Sequence, residues 1–414
     1  MNILFVVPYV PNKIRVRPYN LIRHLVQIGH RITVLTIWTS EDERRTLEDL
    51  EGYCAQVKAV NLPTWRSFIN CLLALPSSQP LQAVYSWDSN LAEDIYSLAA
   101  HTNGSDTFDI VHVEHLRGAR YGIDVNSRLS ERKPPLPIVW DSVDSISLLF
   151  RQAMVQSKSM FSRGLTRFEL RRTERYESWL LDQFDQVLVT SENDKNAFLS
   201  LSERDENESG VEVLPNGVDL GYFKPVEGIE RNKKDIVLSG KMSYHANVTM
   251  VMEFMQDIMP HVWVKHANVQ VWIVGKDPPQ SLQVLADNPN IHVTGTVDDI
   301  RPYLQKATLS ASPISYGAGI QNKVLEAMAC ATPVIATPQA VSALNVEPGK
   351  EIIVAEDAHS FAKKVIALLE EPERREEIGK AGRKFVERNH DWAVVAARLA
   401  DVYSKAIDRR STAG

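Results

Sequence analysis

The chain has 414 residues, more than one small core needs and enough for two domains of ordinary size. Its 44% hydrophobic and 24% charged residues match a globular protein and argue against a disordered or fibrous one. A formal net charge of −6 argues against general nucleic-acid binding, while three scattered cysteines, Cys54, Cys71 and Cys330, offer neither a disulfide framework nor a metal-ligand spacing and fit a reduced, cytoplasmic setting.

Ile3 to Val7 reads as a buried parallel strand, and because Met1-Asn-Ile-Leu-Phe-Val-Val-Pro8 lacks a basic leader and a cleavage site, it is expected to be a first strand and not a signal peptide. No apolar run approaches membrane-spanning length. Pro8-Tyr-Val-Pro11 opens a loop that carries Lys13, Arg15 and Arg17. A helix is expected from about Pro18 to Ile28, with Leu21, Ile22, Leu25 and Val26 as its apolar stripe and Gly29 as its stop. Arg31 to Ile37 is the next strand, so the opening is a βαβ unit and its sheet is parallel. In open α/β sheets the ends of such strands face the ligand crevice. The three cations there have two readings, a solvated basic loop or contacts to a phosphorylated or lipid-linked acceptor.

Arg66 to Leu75 is expected to be a core helix, with Trp65 at its edge and Phe68, Ile69, Leu72 and Leu73 on its apolar face; contact with a membrane surface is the alternative. Asp109-Ile-Val-His-Val-Glu-His115 ends a strand in polar groups, His112 belonging to the strand and Glu114 and His115 facing the crevice. Ile138-Val-Trp-Asp-Ser-Val-Asp144 repeats the pattern; Asp144 is expected to cap the following helix, and Asp141 stays open between capping and acid–base work. From Arg151 to Asp182 arginines and glutamates alternate, predicting a solvated helix, with anionic lipid as a second reading. Phe184 to Asp194 reads as a strand followed by a capped helix, and Val211-Glu-Val-Leu-Pro-Asn-Gly-Val-Asp219 as a strand and a tight turn.

The polar run from Lys224 to Lys234 reads as a linker, and Asp235-Ile-Val-Leu-Ser-Gly-Lys-Met242 opens a second set of strands. Val269 to Gly275, Ile291 to Gly295 and residues 352–355 are further strands, residues 357–371 a helix, and Trp392 to about Asp408 a terminal helix striped by Val395, Leu399, Val402 and Tyr403. The centre of the chain is Ser312-Pro-Ile-Ser-Tyr-Gly-Ala-Gly-Ile-Gln-Asn-Lys-Val-Leu-Glu-Ala-Met-Ala-Cys-Ala-Thr-Pro-Val-Ile-Ala336, which reads strand, glycine loop, helix, strand. Gly317 and Gly319 permit a close backbone approach, and the N–H groups around Ala318, Gly319 and Ile320 point out of a helix N-terminus toward an anion. Lys323 reaches the same spot and Glu326 follows three residues on. That cradle suits a sugar nucleotide, lysine on the diphosphate and carboxylate on the ribose hydroxyls; the plainer reading is a solvated ion pair.

The run Lys323-Val-Leu-Glu-Ala-Met-Ala-Cys-Ala-Thr-Pro-Val-Ile335 resembles the signature of nucleotide-sugar glycosyltransferases of family 4, and the Pro215-Asn-Gly-Val-Asp219 turn resembles a second signature of that family. The resemblance implies an α/β chain with the GT-B fold, two Rossmann-like domains with parallel sheets facing across a cleft. It divides the chain into an acceptor-side domain at 1–223, a nucleotide-sugar-binding domain at 224–391 and a C-terminal helix at 392–414 that crosses back to the first domain.

It also implies site roles. Glu326 binds the donor ribose. Gly240-Lys241 stands where the family has Gly-Arg on the diphosphate, so Lys241 and Lys323 share that charge. Tyr244-His-Ala-Asn247 stands where relatives carry Lys-Gly. Val297 meets the nucleobase through its backbone, Glu114 and His115 lie by the donor sugar, and Arg15 and Arg17 by the acceptor. Ala318 replaces a family glutamate that usually contacts the sugar. The implied activity is a retaining, metal-independent transfer from a nucleotide-sugar to a glycan, lipid-linked or other small acceptor, in polysaccharide or glycoconjugate synthesis, with no cofactor. The charge balance argues against a nucleic-acid partner, and the basic and apolar stretches offer peripheral contact with the inner face of a membrane as an alternative to a purely cytoplasmic protein. A nucleotide-sugar epimerase and a non-catalytic binding protein are rival readings.

Overall fold

The computed structural model describes residues 1–12, 15–101, 107–133, 135–156, 160–202, 210–226, 228, 230–316 and 319–413. The chain divides into two units, Met1–Pro215 with Val395–Gly414, and Asn216–Val394. The division falls after Pro215. The polar 224–234 stretch, expected as a linker, is stitched into the second unit by Arg231, whose guanidinium donates to the carbonyls of Leu304, Gln305, Ala307 and Cys330.

In the first unit, strands β1 (Asn2–Val7), β2 (Arg31–Trp38), β3 (Gln56–Asn61), β4 (Ile110–Glu114), β5 (Ile138–Val143), β6 (Gln186–Val189) and β7 (Val211–Val213) form one sheet in the order β3-β2-β1-β4-β5-β6-β7. Every pairing is parallel. Helices cover both faces, so strands such as β4 are buried throughout and carry near-continuous apolar runs. The order reverses between β1 and β4, and the carboxyl ends of strands flanking such a switch point are where α/β sheets hold ligands. The helix Val16–Gln27 follows β1 and buries Leu21, Ile22 and Leu25. It begins before the expected Pro18, so Arg17 lies in its first turn instead of in the loop.

Two further expectations are corrected in this unit. The helix Thr64–Ala74 is not a core helix with its apolar face inward. It packs through Ser67 and Ala74, while Trp65, Phe68, Ile69, Leu72 and Leu73 are exposed. Asp144 does not act as the cap of the next helix, Ile146–Gln156. That N-terminus is held by Ser145 Oγ, which accepts from the Leu148 N–H at 3.2 Å, and by the Glu177 carboxylate, which accepts from the Ile146 and Ser147 N–H groups at 2.8 and 3.3 Å, while Asp144 accepts from Thr190 Oγ1 at 3.2 Å. Glu177 belongs to the helix Met160–Leu180, which is solvated on one face only. Its other face buries Glu169, Arg172, Thr173 and Glu177.

In the second unit β8 (Asp235–Ser239), β9 (Gln270–Val274), β10 (Ile291–Gly295), β11 (Leu309–Ser312), β12 (Val334–Ala336) and β13 (Ile353–Val354) form a parallel sheet in the order β10-β9-β8-β11-β12-β13. Its switch point lies between β8 and β11, and the helix Asn322–Ala329 links β11 to β12, burying Val324, Leu325 and Met328. The terminal helix Trp392–Ala413 buries Val395, Leu399, Val402 and Tyr403; from Val395 onward it belongs to the first unit, where Tyr403 Oη lies 2.8 Å from His112 Nδ1.

Candidate functional site

In the second unit the chain leaves β8 at Gly240, with φ +147°, and leaves β9 at Gly275, with φ +156°. A Cβ on Gly275 would lie 1.7 Å from the Gly240 carbonyl oxygen, and a Cβ on Gly240 would lie 2.8 Å from Asn247 Nδ2 and 3.2 Å from Lys323 Cε. Glycine is needed at both places, because a side chain would separate the two strand ends and displace the Lys323 stem.

Asn247 lies in the first turns of the helix His245–Glu253. Its Nδ2 donates to the Lys241 carbonyl at 2.9 Å, and its Oδ1 accepts from Lys323 Nζ at 2.8 Å. Gln321 Oε1 is a second acceptor for Lys323 Nζ, at 3.3 Å. Both acceptors are neutral, so they orient the ammonium without cancelling its charge. Burial pulls the Lys323 amine down to about 8, with Glu326 opposing. Burial pushes the Glu326 carboxyl up to about 7, with Lys323 opposing. Among the described residues the Glu326 carboxylate has no hydrogen-bond partner.

The structure therefore brings Gly240, the Lys241 backbone, Lys323 and Glu326 to one end of the sheet, and adds Asn247 and Gln321. The Lys241 side chain is exposed. Gly319 has φ +71°, and Ile320 packs on the core. Gly317 and Ala318 lie outside the described residues, as does Lys13. Val297 lines a cavity of about 640 Å³ together with Trp272, Thr296 and Tyr303, and that lining does not include Gly240, Lys323 or Glu326.

In the first unit the polar groups gather at the ends of β1, β4 and β5. Arg17 is buried, and its Nε and Nη2 lie 2.9 and 2.8 Å from Asp141 Oδ2. The Val143 N–H donates to Asp141 Oδ1 at 3.1 Å. Tyr9 Oη donates to Glu114 Oε1 at 2.8 Å, while Glu114 Oε2 is buried without a partner among the described residues. Burial, reinforced by the Asp141 charge, pushes the Glu114 carboxyl up to about 8 against the pull of Tyr9, Arg17 and Arg15. Burial also raises Asp141, with Arg17 opposing.

His115 has φ +63° and Val143 φ +69°, at the carboxyl ends of β4 and β5. Backbone held in that region by residues with a Cβ, and by a β-branched one above all, is strained and marks functional sites. His115 Nδ1 accepts from the Arg117 N–H at 3.2 Å, so the neutral ring carries its proton on Nε2. Burial, with Arg117 beside it, pulls His115 down to about 4, which keeps that ring neutral. His112, by contrast, is a strand residue stacked on Phe5 at 4.0 Å. Arg15 lies over the Tyr9 ring at 4.8 Å and pairs with Glu43 at 2.9 Å. Sequence reasoning gave no role to Tyr9 or Gln321, and noted Asn247 only as part of the stretch that stands in for Lys-Gly. The available signal was position: Tyr9 follows the end of β1 by two residues, and Asn247 and Gln321 stand at the starts of the helices that follow β8 and β11.

Comparison with known proteins bears on the family and the fold. The pattern described as Glycosyltransferase Family 4 matches residues 15–222, just over half of the chain, and that described as Glycosyl transferases group 1 matches residues 233–371. A GDP-mannose-dependent monoacylated alpha-(1-6)-phosphatidylinositol monomannoside mannosyltransferase of Corynebacterium glutamicum is 30% identical over 210 residues, 46% of this chain and 55% of that protein. The lipopolysaccharide core biosynthesis mannosyltransferase LpcC of Rhizobium leguminosarum bv. viciae is 23% identical over 258 residues, 58% of this chain and 70% of that one. Among solved structures, sucrose-phosphate synthase of Thermosynechococcus elongatus aligns with a TM-score of 0.68 at 17% identity over 99% of this chain and 100% of that one. Anabaena HepE in complex with UDP aligns at 0.66 and 14% identity over 98% and 100%. At those identities the structural likeness speaks for the fold.

Proposed function

The chain belongs to the family 4 glycosyltransferases, and from that premise we propose that it is a retaining enzyme which moves a sugar from a nucleoside-diphosphate donor to a glycan or lipid-linked acceptor in cell-surface polysaccharide or glycoconjugate synthesis. One observation carries the reading. The second unit presents an ammonium held only by neutral amides and, one turn further along the same helix, a carboxylate without a hydrogen-bond partner among the described residues.

In this reading Lys323 meets the charge that grows on the leaving diphosphate, and the Glu326 carboxylate accepts from both ribose hydroxyls. Asn247 fixes where the ammonium stands. Lys241 adds charge from its exposed side chain, and the backbone at Gly240 and around Gly319 and Ile320 completes the phosphate contacts. The nucleobase lies against the Val297 backbone. Glu114 and the Nε2–H of His115 present polar groups to the sugar, and Arg15 lies on the acceptor side. The acceptor hydroxyl bonds to the anomeric carbon on the face from which the nucleoside diphosphate departs, its proton passes to the departing phosphate oxygen, and no covalent intermediate forms on the protein. The charge is met by lysine and backbone N–H groups, so no metal ion is required.

Thermal shift with UDP, GDP and ADP tests the donor class, since a bound ligand raises stability by mass action. The matching nucleotide-sugar is then assayed for transfer with and without EDTA. GDP-mannose heads the donor panel because both relatives described above are named mannosyltransferases, one of them GDP-mannose-dependent. A shift with one nucleotide and EDTA-resistant transfer are the expected results. The absence of a shift with all three nucleotides refutes the donor reading, and turnover lost to EDTA and restored by a divalent metal refutes metal independence.

A further inference from the structure

The helix Thr64–Ala74 is amphipathic in the opposite sense to a surface helix of a globular protein. Trp65, Phe68, Ile69, Leu72 and Leu73 recur at helical spacing on one stripe, and each is between 46% and 72% exposed. The opposite stripe, Ser67, Asn70, Cys71 and Ala74, is small or polar and is the one fastened to the unit. Asn70 Nδ2 donates to the Trp87 carbonyl at 2.9 Å, Cys71 Sγ lies 3.8 Å from the Leu81 carbonyl, and Ser67 and Ala74 are buried. Burying apolar area is the main favourable term in folding, so a helix that turns its small polar side inward leaves its large apolar side for something else.

A second surface adjoins it. The buried Arg172 guanidinium donates to the carbonyls of Ala74 and Ser77, at the exit of that helix, with 2.7 and 2.9 Å bonds. Glu169 accepts from the Leu81 N–H at 2.9 Å. Arg172 and Glu169 lie on the helix Met160–Leu180, whose solvent side presents Arg167, Arg171 and Arg175 together with the exposed Phe168 and Trp179. Among the described residues these three arginines have no ion-pair partner.

We propose that these two helices together dock the first unit onto an anionic lipid bilayer, the Thr64–Ala74 helix lying in the interface plane. The apolar stripe enters the headgroup–acyl boundary. Trp65 takes the amphipathic position that tryptophan favours there, and the arginines meet the lipid charge. At 11 residues the helix is too short to span the bilayer, and no helix among the described residues is long and apolar enough to do so. Charge complementarity favours this occupant over a second copy of the chain, because a dimer closed by the stripe would bring two sets of unpaired arginines together.

The test is co-sedimentation of the full chain with phosphatidylglycerol–phosphatidylcholine vesicles and with pure phosphatidylcholine vesicles. Binding should require the anionic lipid and weaken with salt. At about 1 kcal/mol per basic residue near the surface, replacing Arg167, Arg171 and Arg175 by Glu should lower affinity at least about a hundredfold. The double change Phe68→Glu and Leu72→Glu should lower it by a similar factor, leaving nucleotide binding unchanged because both residues belong to the first unit and Lys323 and Glu326 to the second. Trp65→Phe serves as a second readout if the double variant is unstable, since it should keep binding and lose part of the vesicle-induced blue shift in tryptophan emission. The proposal is overturned if the wild type ignores anionic vesicles, if it binds neutral ones equally, or if the stripe variant binds as the wild type does. It also fails if the stripe variant converts a vesicle-indifferent dimer to a monomer. Transfer to a soluble acceptor is a separate measurement, so failure here leaves the donor reading standing.

Discussion

In the first unit, Arg17 is matched to Asp141 through two nitrogens, Tyr9 to Glu114 and Tyr403 to His112; in the second, Lys323 rests on two neutral amides and Glu326 on no hydrogen-bond partner among the described residues. Both clusters sit at the carboxyl ends of parallel strands at a switch point, and both mix cations with carboxylates. They differ in what balances the charge. An ion pair closed within the protein contributes to the fold, and removing one partner leaves the other buried and uncompensated. Groups oriented by neutral amides keep their charge available for a ligand.

The sharpest way to break that comparison is to remove Arg17. Arg17→Ala leaves Asp141 buried without its counter-charge, and stability should fall by about 3–5 kcal/mol, read from the denaturant midpoint. Arg17→Ala should leave nucleotide affinity unchanged. If stability moves by less than about 1 kcal/mol, as for an exposed pair, the closed-pair account of the first unit fails.

The converse holds for Lys323. Lys323→Ala should lower turnover by about 10²–10³-fold while changing stability little, because removing a preorganised charge near the leaving group costs on that order. Lys241→Ala should cost less, since that side chain is exposed. Near-normal turnover in both variants would take the lysines out of the mechanism.

The parts of this comparison were unequally legible in the sequence. Strands β1, β4 and β8 were readable because burial on both faces forces short apolar runs, and the helix Asn322–Ala329 because its stripe and glycine loop are local. The Arg17–Asp141 pair spans 124 residues, and no local pattern announces it. The stripe of the Thr64–Ala74 helix was visible, yet its direction was not. Helical spacing is identical whether the apolar side faces a core or a solvent, and here the side that faces inward is the one carrying Asn70 and Cys71, beside the carbonyls of Trp87 and Leu81. The cap on Ile146–Gln156 was misread by one residue and in part for the same reason: Ser145 Oγ accepts from the Leu148 N–H at 3.2 Å, and Glu177, a neighbour only in space, takes the Ile146 and Ser147 N–H groups.

Glu326 sharpens the comparison at smaller scale. Hydrogen bonds to a charged group contribute about 1.5–3 kcal/mol, so Glu326→Gln should lower nucleotide affinity by roughly ten- to a hundredfold. A 2′-deoxy nucleotide separates a ribose contact from general destabilisation. Wild type should discriminate against it and Glu326→Gln should discriminate less. Equal discrimination by both proteins would remove the ribose role.

The smallest effect expected is on pH, and its sign follows from burial. The Glu326 carboxyl is raised from 4.5 to about 7, so the folded protein holds that proton more tightly than the unfolded chain, and stability falls as pH rises from the ordinary carboxyl range through about 7. The Lys323 amine is lowered from 10.5 to about 8, so stability falls as pH drops from the ordinary lysine range through about 8. Near neutral pH the free protein therefore carries the cost of both charges, and a nucleotide that needs both relieves it. Donor affinity should peak between about 7 and about 8. One unit to either side, the required charge is present on only about a tenth of the molecules, so affinity should fall about tenfold. A nucleotide-sugar is the right ligand, because its diphosphate has no ionisation in this range, whereas a free nucleoside diphosphate titrates there itself. Glu326→Gln should remove the acid limb and keep the alkaline one, and Lys323→Arg should do the reverse, since arginine stays protonated. If both limbs persist in both variants, other groups titrate, and the two charges of the second unit are not those the donor reads.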